Sequence, residues 1–261
     1  MAVVLQGGCH VSNMREGEPV VSGTLKSWNR IGKAIGSQAI SLRILEFGPG
    51  LSPGLCNAEC DEVLYMPEGP DDLVDHSACT LFIDGEAYKI APQTGIYIRP
   101  GQIITVENPG SQSVLFVSAQ CPEPVAAREI IAPLIEPRRN SLEAEVPPVV
   151  RLADRRAVST ADRSYRVLVD EEVGSTQVTQ FAGSIPPGRA PDHFHNYEEA
   201  LFILRGEGRM WAGHTSTTIG PGSCIYLPRE QLHCVENTGQ NELRLLGVFY
   251  PAGSPGVRYE A

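Results

Sequence analysis

Several features are scarce or missing in this 261-residue chain. No apolar run reaches the roughly 18 residues of a membrane-spanning helix. The opening MAVVLQGGCH lacks the charged start and the apolar stretch of a secretory signal, so a cytoplasmic protein without membrane contact is expected. Basic residues are in the minority, with 21 Lys and Arg against 31 Asp and Glu, for a formal charge of −10. Such a chain carries no basic field to draw a phosphate backbone, and no nucleic-acid partner is expected. Cysteine is present but unpatterned: Cys9, Cys56, Cys60, Cys79, Cys121, Cys224 and Cys234 form an odd set without repeated CxxC spacing. That argues against a disulfide scaffold and a cysteine zinc site, and for reduced thiols. The phosphate-binding loop, the glycine-rich dinucleotide fingerprint and the nucleophile elbow are all missing. Long segments of helical period are missing too; the best helical candidate is Ala126 to Ile135, ended by Pro137.

What is abundant is punctuation. The 26 glycines and 21 prolines break the chain into short runs rich in Val, Ile, Leu, Tyr and Phe, such as Leu42 to Phe47, Gly95 to Ile98 and Leu243 to Phe249, which is an all-β rhythm. A tandem repeat underlies it. Residues 91–110, APQTGIYIRPGQIITVENPG, align without gaps on 220–239, GPGSCIYLPREQLHCVENTG. Upstream, FGPGLSPG (47–54) is matched with FAGSIPPG (181–188), and Glu62 followed by Gly69 with Glu199 followed by Gly206. The pattern predicts two β barrels packed side by side: residues 1–125, a Pro-rich and charged linker over 126–163, and residues 164–261.

The second copy carries the strongest motif: Gly188, then His193-Phe194-His195, then Glu199 and Gly206. His193 and His195 fall on one face of a strand, with Glu199 in phase four residues on. A further histidine follows in the series Gly222, Pro228, His233, Asn237. Three imidazoles and one carboxylate suit a divalent Fe, Mn, Ni, Co, Cu or Zn ion, and suit Ca or Mg poorly. A tetrahedral zinc would be closed by these four ligands, whereas an octahedral metal would keep two positions open for substrate and for oxygen or water.

These two blocks resemble the signature motifs of the cupin superfamily, G-x5-H-x-H-x3,4-E-x6-G and G-x5-P-x-G-x2-H-x3-N. Here the first reads GRAPDHFHNYEEALFILRG, one residue shorter between Gly188 and His193, and the second reads GSCIYLPREQLHCVEN, with Glu230 in place of the usual glycine. All four ligand positions are intact. The resemblance is direct over 165–250 and runs through the repeat over 40–120, so the protein is similar to a bicupin. It implies a double-stranded β-helix, or jelly-roll barrel, in each half, with one metal per chain, bound by His193, His195, Glu199 and His233 near the mouth of the second barrel.

In the first copy no histidine is available. Anchoring the alignment on Glu62 places Cys56, Ala58, Glu62 and Ile104 at the ligand positions; moving the gap places Glu59 and Asp61 there instead. The first barrel then reads as structural, as a dimerisation element, or as a site for an organic ligand without metal. Cys56 and Cys60 are more simply incidental thiols than a redox pair, Cys234 should point away from the metal, and His10, His76 and His214 lack ligand-like spacing. Leu201 and Ile203 continue the phase of Glu199 and either line a pocket or pack in the core.

A metal-dependent enzyme for a small organic acid, enol or phenol is the leading expectation, with Glu199 able to take a proton from substrate. The three-His, one-Glu set resembles that of quercetinase-like dioxygenases and of oxalate-degrading cupins, which puts a dioxygenase-type oxidoreductase first. Isomerases, cyclases, lyases and a ureidoglycine aminohydrolase-like hydrolase form the non-redox alternative. A binding module that holds a metal or small ligand without turnover is the third. Edge strands in such barrels are paired or covered, so a compact monomer or a symmetric homo-oligomer is expected.

Overall fold

The computed structural model describes residues 1–68, 78–137, 146–160, 163–257 and 259. His76 and Gly69, used above as sequence landmarks, lie outside these residues. Among the described residues, the helical elements are three-residue turns such as Lys33–Ile35 and Glu171–Val173, and no helix is long and apolar enough to cross a membrane. The other regular elements are β-strands in four sheets, as the Gly and Pro punctuation predicted.

Each half is a sandwich of a large and a small sheet. In the N-terminal half a seven-stranded sheet includes Leu25–Ile31, Ser41–Phe47, Asp61–Met66, Thr94–Ile98 and Val114–Cys121, and faces a six-stranded sheet containing Gly54–Cys56 and Ile103–Asn108. In the C-terminal half an eight-stranded sheet includes Arg163–Val169, Thr179–Ile185, Glu198–Arg205, Ser223–Leu227 and Leu243–Tyr250. It faces the four-stranded sheet of Gly188–Arg189, Gly208–Ala212, Thr215–Ile219 and His233–Asn237.

The two large sheets also pack on each other. Leu42 and Ile44 point into a shared core with Leu168, Phe202, Leu246 and Val248, while Leu45 and Phe47 on the opposite face fill the interior of their own half. Likewise Leu246 and Val248 face the other half, and Leu243, Leu245 and Phe249 face inward. Strands packed on both faces carry apolar residues on both, which explains the apolar-rich runs at 42–47 and 243–249, broken by the charged Arg43, Glu46 and Arg244.

A hydrogen-bond network centred on Glu198 ties the two halves at this junction. The buried Glu198 carboxylate accepts from the backbone N–H of Ala39 at 2.7 Å and of Gln38 at 3.0 Å, and from the Tyr226 hydroxyl at 2.8 Å. At the matching place in the other half, the Tyr97 hydroxyl donates to Asp61 at 2.5 Å. Ser37 and Ser175 fold equivalent loops, each accepting from the backbone N–H three residues on, at 3.3 Å.

Strand pairing carries segments across the boundaries expected from sequence. Val3–Val4 and His10–Asn13, expected in the N-terminal barrel, extend the sheet of the C-terminal half, where His10–Asn13 pairs with Ser223–Leu227. The expected linker over 126–163 is partly strand: Glu129–Ile131 pairs with Gly54–Cys56, Val149–Arg151 with Thr94–Ile98, and Val158–Thr160 with Arg163–Val169. The best helical candidate, Ala126 to Ile135, is therefore not a helix, because an unpaired sheet edge offers its backbone a ladder.

Candidate metal centre

The site forms where a connection between the two sheets of the C-terminal half folds back. Gly188 turns the chain at φ +128° beside Asn237. Asn237 secures the turn, donating from Nδ2 to the carbonyls of Ile185 at 2.9 Å and Asn241 at 2.8 Å. Five residues on, His193 and His233 exchange backbone hydrogen bonds of 3.0 and 2.9 Å. The two motifs are also tied at Glu230, whose N–H donates to the His195 carbonyl at 2.7 Å. Glu230 has φ 60°, the left-handed conformation that glycine accepts most easily, and its counterpart in the first copy is Gly101 at φ 81°. The second motif's usual glycine thus marks a real conformational requirement, met here by a strained glutamate.

His193, His195 and His233 are buried, and one ring nitrogen from each lies within 4.8 Å of the other two. Nitrogens held about 2.1 Å from a common ion stand up to about 4.2 Å apart, so the three already sit close to ligating distance. The second nitrogen of each ring faces a carbonyl: His193 Nδ1 the Pro191 oxygen at 3.2 Å, His195 Nδ1 the Val257 oxygen at 3.1 Å, and His233 Nδ1 the Gln231 oxygen at 2.7 Å. A carbonyl only accepts, so each Nδ1 carries the proton and each Nε2 presents a lone pair. Burial, followed by the neighbouring His193, pushes the His233 pKa down to about 3, which keeps that ring neutral. Three neutral, oriented imidazoles are the donor set a divalent transition metal requires, and the residues present fit one.

Glu199 comes from the facing sheet. Its Oε2 lies 3.9 Å from His195 Nε2, while among the described residues the mutually close donors are the three histidines. Burial pushes its pKa up to about 8, since no water stabilises the carboxylate. The aromatic packing behind the site was not foreseen: Tyr197 stacks on His195 at 4.7 Å and on Phe249 at 4.2 Å between ring centroids. The Val257 carbonyl was missed as well, because no local pattern shows that the segment after Tyr250 returns to orient His195.

The triad opens into a cavity of about 90 Å³ lined by Phe181, Ile185, Leu201, Val235 and Leu245, with Arg163, Tyr165, Ser164 and Ser184 also on the wall. Leu201 therefore lines a pocket, whereas Ile203 packs in the core. Cys234 lies on the opposite face of its strand, buried, with Arg189 Nε donating to its sulfur at 3.3 Å. Cys56 and Cys60 are separate thiols, and burial pushes Cys60 up to about 12, away from redox chemistry.

Register corrects the alignment of the first copy. Ile104, the counterpart of His233, pairs with Leu55, as His233 pairs with His193; Gly50 pairs with Asn108 as Gly188 pairs with Asn237. Phe47 faces Val114 as Ile185 faces Leu243. The strand over 41–47 thus matches 179–185, and Leu55, Asn57, Glu62 and Ile104 occupy the ligand positions. Cys56 and Ala58, and equally Glu59 and Asp61, are displaced from them, and Gly50 rather than Gly54 matches Gly188. The lack of histidine at the ligand positions of the first copy stands.

Residues 183–249 match the family model for the cupin domain. None of the curated proteins compared matches the chain. Among solved structures, Bacillus subtilis oxalate decarboxylase at pH 4.6 superposes with a TM-score of 0.72 at 13% identity, covering 92% of this chain and 76% of that one. A variant of the same Bacillus subtilis enzyme gives a TM-score of 0.75 at 13% identity over 94% and 78% of the two chains. An oxalate decarboxylase structure describing its substrate binding mode gives 0.72 at 14% identity over 94% and 77%. At these identities the likeness is one of architecture, and the fold is the cupin fold.

Proposed function

We propose that the chain is a metal-dependent enzyme acting on a small organic acid, enol or phenol, with a dioxygenase-type oxidation as the first reading. The supporting observation is the oriented triad of His193, His195 and His233 at the end of a cavity rather than in closed packing. These residues and Glu199 would hold one divalent Fe, Mn, Ni, Co, Cu or Zn ion, which supplies Lewis acidity and, when redox-active, access to oxygen chemistry. Glu199 stands beside His195 and can hold or pass a proton at Oε2. Phe181, Leu201 and Leu245 exclude water from the substrate. At about 90 Å³ the cavity is small beside the roughly 300–1,000 Å³ of drug-sized sites, which favours compact acids over polycyclic phenols.

Division into two cupin units, with metal in the C-terminal one alone, belongs to the same proposal. So does a compact monomer or symmetric homo-oligomer, supported by Val20 and Val21, which are exposed at 72% and 61% on an edge strand. A second, non-redox reading, in which the ion serves as a Lewis acid alone, uses the same triad. Metal-stripped protein reconstituted with zinc or with iron, and assayed with and without oxygen against one panel of small acids, separates them. The oxidative reading expects turnover and oxygen uptake with iron alone; full activity of the zinc form without oxygen overturns it.

A further inference from the structure

Glycine inside a strand weakens it, because the residue has the most backbone freedom to lose and no side chain to pack; where it occurs, something must approach closely or bend. Two glycines lie in the ladder between Thr179–Ile185 and Leu243–Tyr250, where Gly183 pairs with Leu245 and Gly247 with Phe181. Neither has a positive φ, so neither answers a left-handed turn. At Gly247 the reason for glycine is packing, since a Cβ there would run into the Phe181 ring. Gly54 and Gly95 are also confined, with a Cβ meeting the Ala132 carbonyl at 2.7 Å in one and Gln180 Oε1 at 2.8 Å in the other. Gly183 differs from all of these. A Cβ on it would first meet Leu245 Cδ1, the far end of a flexible side chain, at 3.1 Å, and then the Phe181 ring at 3.6 Å.

The neighbours of Gly183 therefore tolerate a side chain, and the position is nonetheless bare. Gly183 lines the cavity together with Phe181, Leu201, Leu245 and the three histidines. The first copy has filled the same place: Leu45 pairs with Phe116 as Gly183 pairs with Leu245, and Leu45 is buried in the apolar core of its half. Since the frame accepts leucine there, what glycine preserves in the second copy is room. At about 90 Å³ that room is smaller than the roughly 150 Å³ of a cavity that takes benzene, and suits an aliphatic body of about three or four carbons.

We propose that Gly183 is the specificity-determining residue that sizes the cavity, leaving the space in which a short aliphatic body lies against the strand between Phe181 and Leu245. The polar end of such a ligand is directed at His193, His195 and His233. The inference deepens the proposed function and rests on this cavity being the substrate site.

The test uses full-length protein loaded with redox-inert zinc and measures, by calorimetric titration, the binding of formo-, aceto-, propiono- and butyrohydroxamic acid, which share a metal-binding head and differ in the carbons behind it. Wild type is expected to tighten about fourfold for each carbon added, the gain from burying a methylene. G183V should lose that dependence and bind butyrohydroxamic acid at least about tenfold more weakly, with formohydroxamic acid binding and zinc content unchanged; G183A should fall between. G183A should also unfold in urea at or above the wild-type midpoint, because glycine is costly in a strand. Binding that is independent of chain length in wild type, butyrohydroxamic acid binding by G183V equal to wild type, or a lowered urea midpoint for G183A overturns the proposal. If G183V does not fold, G183A carries the comparison. Titrating metal-free protein with formamide and butyramide separates the two readings. A Gly183-dependent preference for butyramide without stoichiometric zinc uptake supports the sizing role and refutes the metal centre, whereas zinc uptake without a chain-length preference in either series does the reverse.

Discussion

The two halves share a strand frame and use its interior in opposite ways. In the N-terminal half the positions of His193, His195 and His233 are taken by Leu55, Asn57 and Ile104, and the wall positions of Gly183, Ile185 and Leu245 by Leu45, Phe47 and Phe116. The larger side chains close what is a cavity in the C-terminal half, and Phe47 meets Phe116 edge-on at 5.8 Å. The exchange runs the other way around the acidic position. Phe181, Gly247 and Phe249 flank Glu199 on the next two strands of its own sheet, whereas Glu62 has Arg43, Ser118 and Gln120. Glu62 accepts from Ser118 Oγ at 2.5 Å and Gln120 Nε2 at 3.3 Å, and forms a buried ion pair with Arg128. One frame therefore holds its interior carboxylate in two environments, an internal guanidinium in one and a cluster of imidazoles in the other.

The largest expected effect is on metal content. Elemental analysis should find one equivalent per chain, abolished by His193→Ala or His233→Ala and unchanged by Cys56→Ala or Asn57→Ala. A second equivalent held by residues 40–120 would break the contrast between the halves.

Next in size is the ion pair that serves the N-terminal half. Arg128→Ala leaves the Glu62 carboxylate buried without its cation and should cost about 3 kcal/mol in urea unfolding. Adding Glu62→Gln to that variant removes the stranded charge and should recover part of the loss. Additive losses from the two substitutions would mean that Arg128 does not serve Glu62.

The smallest effect sharpens the turn comparison. Glu230→Gly gives the second copy the residue that stands at Gly101 in the first, and should stabilise the folded state by roughly 0.5–1 kcal/mol by relieving a left-handed non-glycine backbone. Metal content should not change. A destabilised variant would show that the Glu230 side chain contributes more than its backbone strain costs.

Legibility in the sequence followed the specificity of the chemistry. Few residues ligate metal, so His193, His195 and His233 stood out at their spacing, and the gapless block that contains His233 located Ile104 correctly. Between Phe47 and Glu62 only turn residues guided the alignment, and a slip of one residue moves every side chain to the other face. Cys56 was read where Leu55 stands for that reason, and strand pairing was needed to settle it. The stretch from Ala126 to Ile135 looked helical because its composition suits a helix; its strand exists only because Gly54–Cys56 offers an edge. Arg163 was invisible as a wall residue, since nothing local indicates which strand borders the cavity.

The arm formed by residues 3–13 sets an order of events during synthesis. Gln6 donates its N–H to Thr215 Oγ1, 209 residues further along the chain, and His10–Asn13 pairs with Ser223–Leu227. At typical translation speeds of about 5–20 residues per second, the arm waits roughly 10 to 40 s on the ribosome before its partner strand emerges. During that interval the N-terminal half can assemble without it, while Leu5, Cys9 and Val11, all buried in the finished protein, remain in water. The arm is a delayed clasp: made early and engaged late, it ties the completion of the metal-bearing half to a segment that has already left the ribosome.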